Sequence, residues 1–340
     1  MKNQLPVIFL TFANDKVDDA LYLRNLPKEL NAIRNALVKA EKAGLCEVIE
    51  RTACTVEDIF DTFQDPRYEG RIAMFHYGGH ASGSQLMLET LDGDHGTAHA
   101  EGLVSFLGKQ NSLQVAFFNG CSSQEQAMEL SEAGVPAVVG TATAIKDVIA
   151  TDLAGRFYTG IASGFTVNKS WLEAVDVLKT KNDTKKKKGL RLRRDKGNDF
   201  PWRMYIRDGA EVVRDWDLPS AANSPLFGLP ELPKTNLPEY PFMFLRRYEP
   251  QHAEIFFGRD RYIRQLYDRI TSDKAAPVIL FYGQSGAGKS SALAAGLLPR
   301  LEQEADVKYI RRNSDIGLLG TFDEALGGNI RRTVLTTGEG

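Results

Sequence analysis

His80 and Cys121 combine the two side chains best suited to nucleophilic catalysis, and each follows an apolar run that ends in glycine. Ile72 to Tyr77 leads into Gly78, Gly79 and His80, while Leu113 to Asn119 leads into Gly120 and Cys121. Read as strands, the two runs bring both side chains to one rim of a sheet, where the glycines allow the sharp turns that would present them. Ser123 and Gln126 have capping-box spacing, which predicts a helix starting just after the thiol. Its unpaired amides, its dipole and a neighbouring imidazole all favour thiolate over thiol. Cys121 is then the expected nucleophile and His80 the general acid/base that protonates a leaving amine, with backbone amides at Cys121 and just after His80 as oxyanion donors. Taken singly, a cysteine is more often a small buried hydrophobe and a histidine a satisfied polar group, so it is their joint placement that matters.

A second pattern carries different chemistry. Val278 to Tyr282 is a short apolar run, followed by Gly283, Gln284, Ser285, Gly286, Ala287, Gly288, Lys289 and Ser290, then by a helical stretch from Ser291 to Leu301. This is a complete phosphate-loop pattern in a strand-loop-helix setting. Gly283, Gly286 and Gly288 let backbone amides wrap phosphates, Lys289 neutralises the β and γ charges, Ser290 is placed to ligate Mg²⁺, and Ser291, which opens the helix, completes the expected cofactor-binding set. ATP and Mg²⁺ are the expected cofactors here, and none is expected for the Cys/His site. Fifty residues follow Ser290, and none of them forms the apolar strand with terminal acidic residues that hydrolysis requires. The sequence therefore reads as a fragment of a longer protein, with an incomplete NTPase whose turnover alone is not expected.

The elements that must position these residues are short. Pro6 to Phe12, Glu47 to Thr52, Ile72 to Tyr77, Leu113 to Asn119, Ala137 to Ala142 and Trp202 to Arg207 read as strands. Helical patterns cover Leu26 to Ala43, Thr55 to Phe63 (with Thr55 and Asp58 spaced as a capping box), Ala100 to Lys109, Gln124 to Ala133 and Ile149 to Ser163. Such alternation predicts an α/β fold with a mainly parallel sheet, helices on both faces and chemistry at the carboxyl ends of the strands.

With 43% hydrophobic and 25% charged residues, the 340-residue chain has a globular composition and room for two cores. Its 42 basic and 44 acidic residues nearly cancel, so the overall field predicts neither a nucleic-acid nor a membrane partner. The three cysteines, Cys46, Cys54 and Cys121, lack metal-ligand spacing and fit reduced thiols in the cytoplasm. The apolar stretch Leu5 to Ala13 is too short to span a bilayer and is read as the first strand. Eight Lys or Arg residues between 185 and 196 are read as a solvated loop, because no aromatic residues interleave them. Seven prolines between Pro219 and Pro250 read as an extended linker.

The segments MFHYGGHASG (Met74 to Gly83) and FFNGCSS (Phe117 to Ser123) resemble the histidine and cysteine motifs of the CHAT peptidases, relatives of caspases and separases. Leu86 to Leu103, Gly134 to Ala142, Asp152 to Gly164 and Phe200 to Gly209 are similar to further elements of that family, so the resemblance covers residues 1–217. It implies a caspase-like fold, a protein substrate, and His80 and Cys121 as the catalytic pair. Family members usually carry glycine after the histidine, where this chain has Ala81. Asn119 stands where basic-specific relatives have an acidic residue and caspases have glutamine. Asp147 and Asp152 read as helix-opening groups before pocket residues, and His76, His95, His99, Cys46 and Cys54 as structural.

Around Phe256 to Asp260 the chain is similar to the lead-in of the STAND-type NTPases. The resulting division is residues 1–217, a linker and lead-in at 218–253, and the start of a P-loop domain at 254–340. That order implies a cysteine endopeptidase under an ATP-dependent, homo-oligomerising switch, in bacterial antiphage defence or programmed cell death. The alternative is a catalytically inactive caspase-like scaffold or a partner-binding domain on a signalling NTPase.

Overall fold

The computed structural model describes residues 5–14, 22–82, 85–89, 95–120, 123–142, 147–186, 200–230, 232–233, 238, 240, 242–244, 246–272, 275–310 and 314–325. It divides into two units, Met1–Leu229 and Pro230–Gly340. Among the described residues no helix is long and apolar enough to cross a membrane.

In the first unit the alternating pattern becomes β1 (Val7–Phe12), α1 (Leu26–Lys42), β2 (Glu47–Thr52), α2 (Val56–Gln64) and β3 (Ile72–Gly78). A small antiparallel sheet follows, made of β4 (Ala81–Ser82), β5 (Gln85–Glu89) and β6 (His95–His99), and then α3 (Ala100–Gly108) and β7 (Val115–Asn119). The unit continues with α4 (Gln124–Ala133), β8 (Ala137–Thr141), α5 (Asp147–Ala162), α6 (Val167–Lys186), β9 (Trp202–Ile206) and α7 (Leu218–Asn223). Six strands pair in the order β2-β1-β3-β7-β8-β9, all parallel except β8 with β9. The predicted α/β class with a mainly parallel sheet is the one observed.

Strands buried on both faces need apolar residues at nearly every position, and β1, β3 and β7 are buried throughout. Alternate residues feed two separate cores. Ile8, Leu10, Met74, Val115 and Phe117 meet the apolar stripes of α1, α5 and α6. Phe9, Phe75, Tyr77, Ala116 and Phe118 meet α2, α3 and α4 on the other side. The α1 stripe is Leu26, Ile33, Leu37 and Ala40, and α2 starts with the expected capping box, Asp58 N donating to Thr55 Oγ1 at 3.1 Å and Thr55 N to Asp58 Oδ2 at 2.9 Å.

The structure departs from the sequence reading in four places. Ser123 makes no capping bond to α4, because its hydroxyl is engaged with Thr141 of β8 instead. Part of the predicted linker is helical: Asp217 caps α7 by accepting from Ser220 N at 2.8 Å, and Pro219 fits the first turn, where its missing N–H costs nothing. Leu218 belongs to the core of the first unit. His95 and His99, which the sequence assigns to a loop and a helix start, are the end residues of β6, and α3 begins after them at Ala100. Val278 to Tyr282 forms no strand and is largely exposed, 80% at Val278 and 82% at Tyr282. A strand needs a neighbour for its backbone groups, and among the described residues of the second unit there is none.

The second unit contains a 3₁₀ turn (Pro250–Ile255), α8 (Asp260–Thr271), α9 (Lys289–Ser291), a π-wound stretch (Ala292–Leu297), α10 (Leu298–Leu301) and α11 (Gly317–Ala325).

Phe75 sits fully buried at the centre of the second core, its ring 5.8 Å from Phe9, 6.1 Å from Phe63 and 6.1 Å from Phe118. Phe75→Ala is expected to destabilise this unit by about 3–5 kcal/mol in urea unfolding followed by circular dichroism, without a change in the unfolding slope.

Candidate active site and phosphate loop

β3 and β7 pair in parallel with Gly78 opposite Asn119, so the residues that follow, Gly79 and Gly120, leave the sheet side by side. A Cβ added to Gly120 would lie 2.8 Å from Gly79 O and 2.9 Å from Ala81 Cβ; one added to Gly79 would lie 2.5 Å from Tyr77 Oη. Neither glycine is in the left-handed φ region. Glycine is needed here for the space a side chain would occupy, not for the sharp turn the sequence reading assigned to it. The His80 loop and the backbone before Cys121 are therefore in direct contact. Cys121 itself, with Ser122, lies outside the described residues.

Both sides of Cys121 are nonetheless anchored by one residue. Thr141, at the end of β8, donates from Oγ1 to Gly120 O at 2.5 Å, its N–H donates to Ser123 Oγ at 3.0 Å, and its Oγ1 accepts from Ser123 N at 3.3 Å. Ser123 and Thr141 are both fully buried. Sequence reading gave Thr141 no role, although a threonine closing a strand next to the nucleophile's strand is the signal that was available.

His80 is partly exposed, and its backbone is fixed from below. Its carbonyl accepts from Met87 N at 3.1 Å and lies 2.7 Å from Tyr77 Oη. Tyr77 Oη is also 2.6 Å from Met87 O, so its one proton is shared between two carbonyls. Burial pushes the Tyr77 phenol well above its ordinary value, so it remains a neutral donor. Ala81, the departure from the family pattern, sits in β4 opposite Leu86 without positive φ, so its side chain imposes no strain. Beside the β1 tip lies a cavity of about 290 Å³ lined mainly by apolar groups, among them Phe12, Leu26 and Leu30, with Asn14, Thr52 and Glu89 as polar members. Ala13 N donates to Gly78 O at 3.1 Å, which sets this cavity against the His80 loop.

The other two cysteines are in opposite electrostatic surroundings from those a nucleophile needs. Burial, reinforced by Glu41, pushes the Cys46 thiol up to about 12; burial, reinforced by Asp58, pushes Cys54 higher still. Both are free and buried, as expected. His76 is fully buried in the first core, and Asp147 opens α5.

In the second unit Gly283, Gly286 and Gly288 all have positive φ (159°, 79° and 80°), the conformations that let successive amides turn inward. Lys289 Nζ donates to Gly283 O at 2.8 Å and Gln284 O at 2.7 Å, so the loop closes around its own ammonium. Ser290 is exposed in α9. The Ser291 hydroxyl is used internally, accepting from Tyr248 N at 3.1 Å. Arg259, from the lead-in, donates to Ala287 O at 3.4 Å.

Residues 241–316 match the family model described as Novel STAND NTPase 1. Among solved structures the chain is similar to the Drosophila initiator caspase Dronc, with 10% identity and a TM-score of 0.40, over 61% of this chain and 81% of that one. It is also similar to pro-sf-caspase-1, with 9% identity and a TM-score of 0.38, over 61% of this chain and 93% of that one. No curated protein matches. The chain joins an α/β domain with a mainly parallel sheet to a segment that matches the STAND NTPase model over residues 241–316.

Thr141→Val keeps the shape of the side chain and the backbone bond to Ser123 Oγ but leaves Gly120 O and Ser123 N without the hydroxyl. It is expected to cost about 1–3 kcal/mol in urea unfolding. In the native wild type, iodoacetamide at neutral pH should leave Cys46 and Cys54 unmodified, as read by peptide mass mapping, because both thiols stay protonated and buried.

Proposed function

We propose that residues 1–217 form a CHAT-type cysteine endopeptidase, with Cys121 as nucleophile and His80 as general acid/base. The observation that carries this reading is the packing of Gly120 against Gly79 and Ala81, which sets the residues just before the cysteine on the loop of the histidine. Cys121 thiolate attacks the scissile carbonyl carbon and a C–S bond forms. His80 gives its proton to the departing amine as the C–N bond breaks. Water then attacks the thioester, His80 takes its proton, and the C–S bond breaks to regenerate the thiolate. Backbone amides near Cys121 and Ala81 stabilise the oxyanion. The substrate is a protein, and the apolar cavity beside the β1 tip is suited to one of its hydrophobic side chains.

The STAND segment is the regulatory part of this reading. The loop around the Lys289 ammonium fits a nucleotide: the loop amides and Lys289 would hold the phosphates of ATP, and Ser290 would hold Mg²⁺. Bound ATP supplies binding free energy that can differ between resting and assembled states. Homo-oligomerisation through this module, cytoplasmic action, and a role in bacterial antiphage defence or programmed cell death complete the proposal.

Cys121→Ala and His80→Ala should each abolish cleavage of a fluorogenic peptide library and labelling by an electrophilic peptide, while melting as the wild type does. Labelling that persists in Cys121→Ala would overturn the assignment. Lys289→Ala should weaken binding of a fluorescent ATP analogue at least about tenfold by removing a charge-assisted contact, and leave Cys121 labelling intact.

A further inference from the structure

Glu29 belongs to no motif, yet it is 3% exposed in the first turn of α1, and its Oε1 takes two hydrogen bonds. His76 Nε2 lies 2.9 Å away and Asn119 Nδ2 lies 2.8 Å away. The amide orientation is unambiguous, because Asn119 Oδ1 accepts from the Trp202 indole N–H, a donor only, at 3.0 Å. An amide N–H₂ can only donate, so Oε1 is an acceptor. His76 has no other partner for its ring nitrogens among the described residues, so it carries its proton on Nε2, toward the carboxylate. Aromatic rings fix the imidazole plane: Phe117 lies 5.3 Å away, Phe12 5.4 Å and Tyr158 5.6 Å.

His76 is on β3, four residues before His80, and Asn119 is on β7, two residues before Cys121. Gly78 lies beside them: a Cβ there would meet the Phe12 ring at 2.6 Å and stand in ordinary contact, 3.4 Å, with the same Oε1. One oxygen atom is thus bonded into both strands whose tips carry the proposed pair. We infer that Glu29 is the positioning residue of that pair, holding the β3 and β7 tips at a fixed separation, with Trp202 locking the Asn119 side chain that transmits the constraint. The inference rests on the peptidase reading. A carboxylate suits this role because one of its oxygens can accept from two donors at once, and charge-assisted bonds resist the slippage that neutral ones allow. Displacement of a reacting group by about 1 Å costs on the order of 100-fold in rate, so the tether acts on turnover more than on substrate binding.

The test uses the full chain and two variants, Glu29→Met and Trp202→Phe. It follows melting temperature, peptide hydrolysis and the rate of iodoacetamide alkylation of Cys121 by mass mapping. Glu29→Met keeps the length of the side chain but offers neither donor an oxygen, whereas glutamine would retain a carbonyl able to accept both bonds. In folded Glu29→Met protein kcat should fall about 100-fold with KM changed less than about threefold, and Cys121 alkylation should slow about tenfold. Trp202→Phe should move the same readouts in the same direction by less. A lower melting temperature with unchanged kcat and alkylation per folded molecule makes Glu29 a packing residue and overturns the inference. If Glu29→Met does not fold, Trp202→Phe decides alone, and wild-type kinetics in that variant overturn it. A wild type whose Cys121 is no more reactive than a free thiol rejects the peptidase reading itself, and this inference falls with it.

Discussion

The in-register pairing of β3 with β7 is the constraint on which the rest of the site depends. Parallel neighbours lie about 4.8 Å apart, so two chains leaving the same end stay in contact only if nothing larger than hydrogen stands between them. Gly79 and Gly120 meet that condition, and the contacts a Cβ would make with Gly79 O and Ala81 show how little room is left. A slip of one residue would also turn Asn119 to the opposite face, away from Glu29 and Trp202. The apolar alternation of β3 and β7 excludes such a slip, since it would exchange the residues of the two cores. Burial energy, spread over the whole sheet, therefore sets the register of a few polar atoms at its rim.

The two faces of the sheet divide the work. Toward α2, α3 and α4 the core is aromatic and apolar, with Phe9, Phe63, Phe75 and Phe118 in mutual contact. Toward α1 and α5 the same sheet admits a buried carboxylate, an imidazole, an amide and an indole N–H. Burying these groups unpaired would cost several kcal/mol, and linking them to one another removes most of that penalty. Such a network tolerates only one arrangement of its members, whereas an apolar contact accepts many. The polar group is thus placed where geometry matters, just behind the rim, and the apolar groups where only volume matters. Thr141 does for the β7–β8 gap what Glu29 does for the β3–β7 gap, joining Gly120 and Ser123 through its hydroxyl and its amide.

Much of this architecture was legible in the sequence. The strands around His80 and Cys121, the α2 capping box and the α/β class follow from periodicity and local chemistry, which depend on neighbours within a turn or two. The curled glycine-rich loop at residues 283–289 was legible for the same reason, since its glycines and lysine are close in sequence. Glu29, Thr141 and Trp202 were not, because each acts on residues far along the chain, 90 positions apart for Glu29 and Asn119 and 83 for Asn119 and Trp202. A glutamate in a first helical turn also has an ordinary explanation in the helix dipole, which hides its second role. Ser123 was misread because a local cap and a distant threonine compete for one hydroxyl, and spacing alone cannot show which wins.

The second unit obeys a different logic, in which backbone conformation precedes contacts. Positive φ at Gly283, Gly286 and Gly288 curls the loop before any ligand is considered, and the Lys289 ammonium occupies the ring of groups that results. An anion entering the loop must take that ammonium away from two carbonyls, so the lysine exchanges one set of oxygens for another and needs no new solvation. Tyr248 N is bonded to Ser291 and Arg259 to Ala287, so the lead-in touches both the loop and the helix that follows it. Packing draws them together as well: Gly296 lacks a side chain where Ile263 of α8 presses in, since a Cβ there would stand 2.4 Å from the Ile263 side chain. The lead-in and the helix behind the phosphate loop form one packed piece, so a change in the loop is felt at residues 248 to 263 through direct contacts.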